Sequence, residues 1–487
     1  MSATRMFIDG EWADAAAGAT VDATSPATGE SLGSVADGTR EDARRAIAAA
    51  NAAFHGWASR TGFERAVLIH RVADACERRR DELARICTLD QGKPLKAEAE
   101  GEVGELIEFF RMAAEDAKRL EGRIPESAAP GRRVLLVRRP VGVLGLITPW
   151  NWPYTMPAEV LAPALACGCT VVWTPAPTTA VCSGVLAECV AEADFPPGVF
   201  NFVLGPGPEV GDELAVNPGT HAVAFTGSTR TGMMVSRQAA GKVQLLEMGG
   251  NGPFVVLDDA DLDAAADAAQ VGSFLGGGQS CSAAERILVH ESVREDFVDR
   301  LAARVERDVR LGDPLEEATT LGPLNNEPTA AKMDTHVADA VGRGAAVVTG
   351  GARADGFPTQ LYWPATVLDR VPPDSIAVTH ETFGPIAPIV SIGSIEEAIE
   401  QTNSQAFGLM AAIFTGDVGA GLRFADSVQM GLVNINETTN YWEAHLPWGG
   451  RGRSESGIGR VGGRYPMETL TELQTVLIRS EPPRTGS

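Results

Sequence analysis

Residues 132–150, RRVLLVRRPVGVLGLITPW, decide the fold of this chain, because the sequence pattern changes there. Upstream, apolar residues recur at helical spacing, whereas this stretch holds two runs rich in valine and leucine, separated by Arg-Arg-Pro. Short apolar runs then alternate with helical stretches, at residues 143–147, 170–173, 198–203, 222–225 and 253–257. Strands that alternate with helices predict βαβ units and a mostly parallel sheet.

The flanking regions extend this pattern in both directions. Upstream, helical periodicity predicts three helices, at residues 41–55, 63–86 and 94–120. Downstream of residue 250 a second series has predicted strands at 287–290, 346–349, 389–392, 411–414 and 431–435, with helices at 295–309, 395–402 and 419–428. We therefore expect an α/β fold with two parallel-sheet units. The segment LTELQTVLIR (470–479) alternates like an edge strand, and we expect it to pair with residues 132–138 as an arm that supports oligomerisation.

Length and composition limit the classes of function. A chain of 487 residues predicts two or three domains. The formal net charge of -23 argues against nucleic-acid or anionic-membrane partners, and we find no apolar run of signal-peptide or membrane-spanning length. The seven irregularly spaced cysteines indicate reduced thiols in the cytoplasm. Cys167 and Cys169 lack a second pair at ligand spacing, so no metal site is expected.

Three residues are candidates for catalysis, although each also has an ordinary structural interpretation. Cys281 follows a glycine-rich turn in GGGQSC and is either a small buried residue or an accessible thiolate. Glu247, in LLEMGG, is either a solvated or capping carboxylate or a half-buried base with a raised pKa. Asn151, in PWNWP, either forms a turn or donates its amide to an oxyanion.

The segment FTGSTRTG (225–232) is a candidate phosphate site, because it follows a predicted strand. Its glycine spacing is not G-x-G-x-x-G, so the usual dinucleotide fingerprint is absent. A Gly-Ser turn that leads into a helix can still present backbone N–H groups to a pyrophosphate.

Taken together, ITPWNWP, FTGSTRTG, LEMGGNGP, GQSC and ETFGP, in this order, resemble the aldehyde dehydrogenase superfamily over nearly the whole chain. The interval of 34 residues from Glu247 to Cys281 (281 − 247) matches that family. The chain is similar to the succinate-semialdehyde and benzaldehyde branches, which do not transfer the acyl group to CoA. The resemblance implies two Rossmann-like parallel-sheet domains plus a small β oligomerisation arm, and a homodimer or homotetramer. It assigns residues 1–118 and 139–248 to the cofactor-binding domain, 249–450 to the catalytic domain, and 119–138 and 466–487 to the arm.

The resemblance also implies a reaction and the residues that perform it. Cys281 attacks an aldehyde, Asn151 and the Cys281 backbone N–H hold the oxyanion, and Glu247 activates the water that hydrolyses the resulting thioester. The cofactor is NAD or NADP, and the product is a carboxylic acid.

The resemblance also assigns cofactor contacts to individual residues of this chain. The residues that the resemblance assigns to the adenosine end are Thr174, Pro175, Ala176, Pro177, Gly207 and Gly211. Those assigned to the pyrophosphate are Phe225, Thr226, Gly227, Ser228 and Thr231. Those assigned to the nicotinamide end are Ile147, Thr148, Pro149, Trp150, Met248, Gly249, Glu381 and Phe383.

Two adenosine positions depart from the family pattern. Thr174 stands where the family usually has Lys, and Pro177 stands where NAD-preferring members often have Glu. The choice between NAD and NADP therefore stays open, and we expect weaker adenosine binding than is usual.

Two residues that bind the substrate in similar enzymes are absent here, and their absence limits the class of substrate. Succinate-semialdehyde dehydrogenases hold a carboxylate with two arginines, and those positions are Glu159 and Leu275 here. A glutamate repels a carboxylate, so we predict an apolar or aromatic aldehyde. A semialdehyde with a non-standard carboxylate site, formed by Arg451 or Arg453 in the lengthened loop 447–460, is the alternative. The candidate substrate residues are Trp152, Tyr154, Glu159, Leu275, Ser280, Ser282 and Trp448.

Two other functions compete with aldehyde hydrolysis. A CoA-dependent enzyme would release acyl-CoA and would not need Glu247. A catalytically silent protein would keep the fold for a structural or binding role, although Cys281, Glu247 and Asn151 are all present.

Overall fold

Alternating strands and helices build two large β-sheets in the computed structural model, which describes residues 3–452 and 454–479. The strands in these ranges are β1 (Met6–Ile8), β2 (Glu11–Ala13), β3 (Thr20–Thr24), β4 (Ser31–Ala36), β5 (Arg132–Pro140), β6 (Val143–Ile147), β7 (Thr170–Thr174), β8 (Phe200–Phe202), β9 (Ala222–Thr226), β10 (Val243–Glu247), β11 (Gly252–Val256), β12 (Ala284–His290), β13 (Ala346–Thr349), β14 (Thr366–Asp369), β15 (Ile386–Ile392), β16 (Met410–Phe414), β17 (Leu432–Ile435), β18 (Gly457–Ile458) and β19 (Thr471–Arg479).

The helices of the same ranges lie between these strands. They are α1 (Arg40–Ala58), α2 (Gly62–Arg78), α3 (Arg80–Gln91), α4 (Glu100–Ala117), α5 (Thr155–Cys167), α6 (Ala180–Ala191), α7 (Asp212–Val216), α8 (Thr229–Gln238), α9 (Leu262–Phe274), α10 (Arg294–Asp308), α11 (Glu327–Gly342), α12 (Ile376–Thr379), α13 (Ile395–Asn403), α14 (Val418–Ser427) and α15 (Tyr465–Thr469). No helix in the described residues is long and apolar enough to cross a bilayer.

The predicted α/β class with two parallel-sheet units is confirmed, and strand β6 has the predicted bounds. The single helix predicted over residues 63–86 is wrong, because α2 ends at Arg78 and α3 begins at Arg80. Arg79 between them leaves helical geometry (φ -106°, ψ 20°). Its guanidinium is 2.7 Å from a carboxylate oxygen of Glu82 and 2.7 Å from one of Glu188 on α6, so a tertiary contact holds the break.

The first sheet has the order β18-β10-β9-β6-β7-β8-β1-β2, and its five central strands are parallel. Register aligns the carboxyl ends of three of them: Glu247 of β10 lies opposite Thr226 of β9, and Phe225 lies opposite Ile147 of β6. The segments that follow these strands begin the three motifs PWN, TGS and EMGG. The motifs therefore leave the sheet side by side, at the edge where α/β proteins bind ligands.

The second sheet has the order β13-β14-β15-β12-β11-β16-β17. Strand β11 starts five residues after Glu247, and its parallel neighbour β12 starts three residues after Cys281. The short connection between β10 and β11 thus joins the carboxyl edge of one sheet to the amino edge of the other. This connection brings the predicted base and the predicted nucleophile to one boundary.

Two further pairings complete the architecture. Strands β19 and β5 form an antiparallel ribbon from Thr471 opposite Pro140 to Arg479 opposite Arg132, which confirms the predicted pairing. Strand β18 returns to the first sheet, where Gly457 lies opposite Glu247. The sequence did not predict this return.

A buried ion pair joins the helices behind the site. Lys93 Nζ lies 2.6 Å from Glu102 Oε2, and both side chains are inaccessible to solvent. Glu102 Oε1 accepts hydrogen bonds from the backbone N–H groups of Tyr154 (2.8 Å) and Thr155 (3.2 Å) at the start of α5. Helix α5 has no side-chain cap of its own, so a carboxylate from α4 satisfies its first turn.

Lys93→Met tests the contribution of this pair to stability. Removing one partner leaves a buried carboxylate without its cation, and we expect the free energy of unfolding to fall by about 3–5 kcal/mol. Urea denaturation followed by tryptophan fluorescence measures the change. Glu100→Gln is the matched control, because it breaks an exposed pair with Lys96 that is worth at most about 1 kcal/mol. Equal shifts in the two variants would contradict a special role for the buried pair.

Candidate active site

The cysteine loop is built on three consecutive left-handed glycines. Gly276, Gly277 and Gly278 have φ values of 64°, 64° and 66°. A Cβ on Gly278 would lie 2.2 Å from the carbonyl oxygen of Gly384, so only glycine fits there. These constraints hold Gln279 buried and leave Cys281 half-buried in front of β12.

Glu247 ends strand β10 facing this loop, and its side chain is buried. Burial raises the pKa of Glu247 to about 8, and interaction with the Cys281 thiol offsets part of that rise. Within the described residues Glu247 Oε1 has no hydrogen-bond partner. Glu247 is therefore a carboxyl group poised to take up a proton near neutral pH, as a general base requires.

Cys281 is a protonated thiol in this arrangement. Burial raises its pKa well above the usual range, and the charge of Glu247 and a hydrogen bond to it raise the pKa further. The Cys281 backbone N–H has no acceptor among the described residues, so it is free to donate to a ligand.

Asn151 reaches the same loop from the other sheet. Its Nδ2 donates to the Gln279 carbonyl oxygen at 2.9 Å, two residues before Cys281. Asn151 is buried, and only 6% of its surface is exposed to solvent. Asn151 and Cys281 line one cavity, and a side-chain amide together with a free backbone N–H is the kind of donor set that an oxyanion hole uses.

Two cavities meet at Cys281. The first, which we call the Glu381 cavity, is lined by Pro149, Trp150, Asn151, Met156, Thr226, Gly227, Ser228, Glu247, Gly249, Cys281, Thr329, Lys332, Glu381 and Phe383. The second, which we call the tryptophan cavity, is lined by Glu105, Trp152, Thr155, Met156, Leu275, Ser280, Cys281, Ser282, Met410, Asn440, Trp442 and Trp448. Cys281 therefore borders both cavities, and each cavity gives a ligand access to it.

The loop that carries Glu381 is held by a second buried carboxylate. Glu285 on β12 accepts hydrogen bonds from the backbone N–H groups of Thr382 and Phe383. Phe383 adopts a left-handed φ of 56°, and its ring meets the Trp150 ring edge-on at 5.6 Å. Glu381 Oε1 accepts from the Gly250 N–H at 2.8 Å, which ties this loop to the residues after Glu247.

Backbone groups suited to a pyrophosphate lie beside the Glu381 cavity. Helix α8 starts directly after β9, and Ser228 caps it by accepting from the Thr231 N–H at 3.4 Å. The N–H groups of such a first turn suit a pyrophosphate. Farther along the same edge, a Cβ on Gly207 would meet nothing within 4 Å, so there is open space beside it. Glu381 and Cys281 both line the cavity at this edge of the sheet.

Predicted cofactor residues fall into two groups. Those that line the Glu381 cavity are Pro149, Trp150, Thr226, Gly227, Ser228, Gly249, Glu381 and Phe383. Those that do not line it are Ile147, Thr148, Thr174, Pro175, Ala176, Pro177, Gly207, Gly211, Phe225, Thr231 and Met248. Thr148 accepts from the Trp173 indole N–H at 2.9 Å, and Met248 packs in the core beside Gly232.

The predicted substrate residues also fall into two groups, those that line the tryptophan cavity and those that do not. Trp152, Leu275, Ser280, Ser282 and Trp448 line the tryptophan cavity. Tyr154 and Glu159 do not, since both are fully buried.

Tyr154 and Glu159 instead lie in the protein core. Tyr154 donates its hydroxyl to the Leu83 carbonyl oxygen at 2.9 Å. Burial raises the pKa of Glu159 well above its usual range, and the nearby Glu247 raises it further. Glu159 is thus a neutral acid, so repulsion of a substrate carboxylate cannot be assigned to it.

Several lining residues were missed by sequence reasoning. In the tryptophan cavity they are Glu105, Thr155, Met156, Met410 and Asn440, and in the Glu381 cavity Thr329 and Lys332. Glu105 lies within the predicted helix 94–120, and its sequence neighbours give no sign of a site. Asn440 accepts from the Ser282 hydroxyl at 2.6 Å, a contact between segments 158 residues apart.

A family model supplies the decisive comparison. The model described as "Aldehyde dehydrogenase family" matches residues 12–476. The chain belongs to the aldehyde dehydrogenase family. As a member it is an NAD(P)-dependent oxidoreductase that oxidises an aldehyde to an acid, as the sequence predicted.

Similar proteins agree with that membership. The chain is 39% identical to the glutarate-semialdehyde dehydrogenase of Pseudomonas aeruginosa strain PAO1 over 96% of each chain. It is 39% identical to the NADP(+) succinate-semialdehyde dehydrogenase of Escherichia coli K12 over 97% of each. A crystal structure of an NAD-dependent aldehyde dehydrogenase from Sinorhizobium meliloti superposes with a TM-score of 0.95, at 37% identity, over 99% of this chain and 96% of that one. Both cofactors occur among these dehydrogenases.

Alkylation of Cys281 tests the electrostatic coupling in this aldehyde dehydrogenase. Because the charge of Glu247 raises the pKa of the thiol, Glu247→Gln lowers that pKa and increases the thiolate fraction. We expect iodoacetamide to label Cys281 several-fold faster in Glu247→Gln than in the wild type at about pH 9, where Glu247 is ionised.

Peptide mass spectrometry locates the label, and Cys281→Ala is the control for reaction at the six buried cysteines. Slower labelling in Glu247→Gln would contradict the coupling and would indicate that Glu247 deprotonates the thiol instead.

Proposed function

We propose that this aldehyde dehydrogenase uses Cys281 as nucleophile, Asn151 as oxyanion donor and Glu247 as the base for hydrolysis. The observation that carries the proposal is the meeting of the Glu381 and tryptophan cavities at the Cys281 side chain. An aldehyde from one side and a nicotinamide from the other then reach one sulfur. NAD or NADP serves as the cofactor.

The first half of the reaction forms a bond to sulfur. The Cys281 thiol loses its proton to solvent, and the resulting thiolate attacks the aldehyde carbon. Charge develops on the aldehyde oxygen, where the Asn151 amide and the Cys281 backbone N–H donate to it. The nicotinamide ring, when bound, accepts the hydrogen and the two electrons that leave the aldehyde carbon. Cys281 then carries a thioester.

The second half releases the acid. Glu247 takes a proton from water, the oxygen adds to the thioester carbon, and the carbon–sulfur bond breaks. The raised pKa of Glu247, about 8, suits a group that must both accept a proton and pass it on to solvent. A CoA-dependent reaction would not need this base, and the position of Glu247 facing Cys281 favours hydrolysis.

The tryptophan cavity limits the substrate. In the described part of the chain no arginine or lysine lines it. Arg451 donates to the Val428 carbonyl oxygen at 3.2 Å, and Arg453 lies outside the described residues. The cavity volume of about 80 Å³ is roughly half that of an engineered cavity of about 150 Å³ that holds benzene. A short aliphatic aldehyde without a carboxylate therefore fits better than an aromatic one. Semialdehydes of the kind named for the relatives are the second candidate.

Substitutions at the three residues test the mechanism. Cys281→Ala abolishes reduction of the cofactor, because no covalent intermediate forms. Asn151→Ala lowers kcat by about 10²–10³-fold. Glu247→Gln gives a burst of about one reduced cofactor per site, followed by turnover slowed by about 10²–10⁴-fold, because hydrolysis loses its base.

The measurement is stopped-flow absorbance of the reduced cofactor, with free acid quantified in the presence and absence of CoA. In the wild type the hydrolytic rate rises with pH through about 8, as Glu247 becomes ionised, and this rise is absent in Glu247→Gln. Full activity in Cys281→Ala, or acyl-CoA as the product, refutes the proposed mechanism.

The arm supports a proposal about assembly. Strand β19 is exposed, and its Leu473, Leu477 and Ile478 side chains are 54%, 67% and 44% accessible. An apolar edge of this kind favours pairing with another copy, so we propose a homodimer or homotetramer joined through β5 and β19. Seven free cysteines fit a reducing cytoplasmic location.

Leu477→Glu tests the assembly. Charge on the exposed edge weakens an interface formed there, and we expect a smaller mass in light scattering coupled to size exclusion. Phe63→Glu on α2 is the control, because Phe63 is also 67% exposed but lies outside the arm. The arm has no role in assembly if both variants keep the wild-type mass.

A further inference from the structure

We propose that the tryptophan cavity selects an aldehyde that carries a protonated amine at its far end, with Glu105 as the counter-ion. This inference rests on the proposed function, in which the aldehyde group itself is bound at Cys281. It names the substrate class that the rest of the cavity recognises.

Glu105 offers a positioned acceptor in the cavity wall. Thr155 on α5 donates its hydroxyl to Glu105 Oε2 at 2.7 Å, which orients the carboxylate. Within the described residues Glu105 Oε1 accepts no hydrogen bond, and the half-buried side chain lines the cavity. An ammonium group is the ligand that best satisfies a partly desolvated carboxylate oxygen.

No described cation competes for Glu105. The charge of the buried Lys93 lowers the pKa of Glu105, but Lys93 is already paired with Glu102 at 2.6 Å. Glu108, on the same helix, is exposed, and the buried Glu159 is a neutral acid that adds no charge. Among the described residues that line the cavity, Glu105 is the one carboxyl group, and its ionised form attracts an ammonium group and repels a carboxylate.

The aromatic wall suits the same ligand. The rings of Trp442 and Trp448 lie 6.0 Å apart at 38°, and both line the same cavity as Glu105. Indole rings attract cations more strongly than other aromatic side chains do. Trp152 already makes a cation–π contact of this kind, because Lys93 Nζ lies 3.7 Å from its ring centre. Carboxylate and rings together form a cation site beside a nucleophile.

Three aldehydes with the same two-carbon chain test the proposal: 3-aminopropanal, butanal and succinate semialdehyde. They end in an ammonium, a methyl and a carboxylate group. We expect the wild type to have the highest kcat/KM for 3-aminopropanal and the lowest for succinate semialdehyde. In Glu105→Gln, which keeps the size of the side chain and an acceptor for Thr155, we expect kcat/KM for 3-aminopropanal to fall by about tenfold or more.

Butanal provides the internal reference in each variant. Its kcat/KM stays within about twofold of wild type in Glu105→Gln, because a methyl group makes no charge-assisted contact. Glu108→Gln is the matched control, since it removes an exposed carboxylate from the same helix and should change none of the three values. Burial raises the pKa of Glu105 to about 7, so the ratio of 3-aminopropanal to butanal rises with pH through that value in the wild type only.

The outcomes separate the two proposals. If no aldehyde in the set reduces the cofactor, the proposed function fails, and the cation site fails with it. If butanal or succinate semialdehyde is the best substrate, or if Glu105→Gln lowers all three values equally, aldehyde oxidation stands and the cation site is wrong.

Discussion

The buried carboxylate of Glu102 is the contact on which the site depends. It neutralises Lys93, and it caps the first turn of α5 through the N–H groups of Tyr154 and Thr155. Asn151 and Trp152 lie just before that turn. The Glu102 side chain therefore fixes the position of the proposed oxyanion donor and of one wall of the tryptophan cavity. Burying two charges is costly, and here both charges are paired and Glu102 accepts two further backbone hydrogen bonds.

Catalytic chemistry arises where two sheets meet end to end. Glu247 closes a strand of the first sheet, and Cys281 precedes a strand of the second. Gly250 lies between them, where a Cβ would stand 2.1 Å from the Cys281 carbonyl oxygen. Such close backbone approach buries both groups, and burial raises the pKa of each. The thiol and the carboxyl group are therefore kept from carrying two adjacent negative charges.

Much of this site was predictable from short motifs, because its backbone requirements are local. Three left-handed glycines before Cys281, a Gly-Ser turn before α8 and Gly249-Gly250 after Glu247 each impose a conformation that few other residues accept. Patterns of apolar residues located most strands for the same reason, since alternation and spacing are properties of neighbouring residues. The break at Arg79 escaped prediction because the carboxylate of Glu188, 109 residues away, holds it.

The sequence by itself determined the α/β class, the pairing of β5 with β19 and the aldehyde dehydrogenase resemblance, and it nominated Cys281, Glu247 and Asn151 as candidate nucleophile, base and amide. Only the tertiary structure decided which side chains line the tryptophan cavity. It moved Tyr154 and Glu159 into the core and brought Glu105, Asn440 and Trp442 to the cavity. A side chain on a helix faces whatever packs against it, and that partner comes from distant parts of the chain. Substrate recognition therefore depends on contacts that local sequence patterns do not encode.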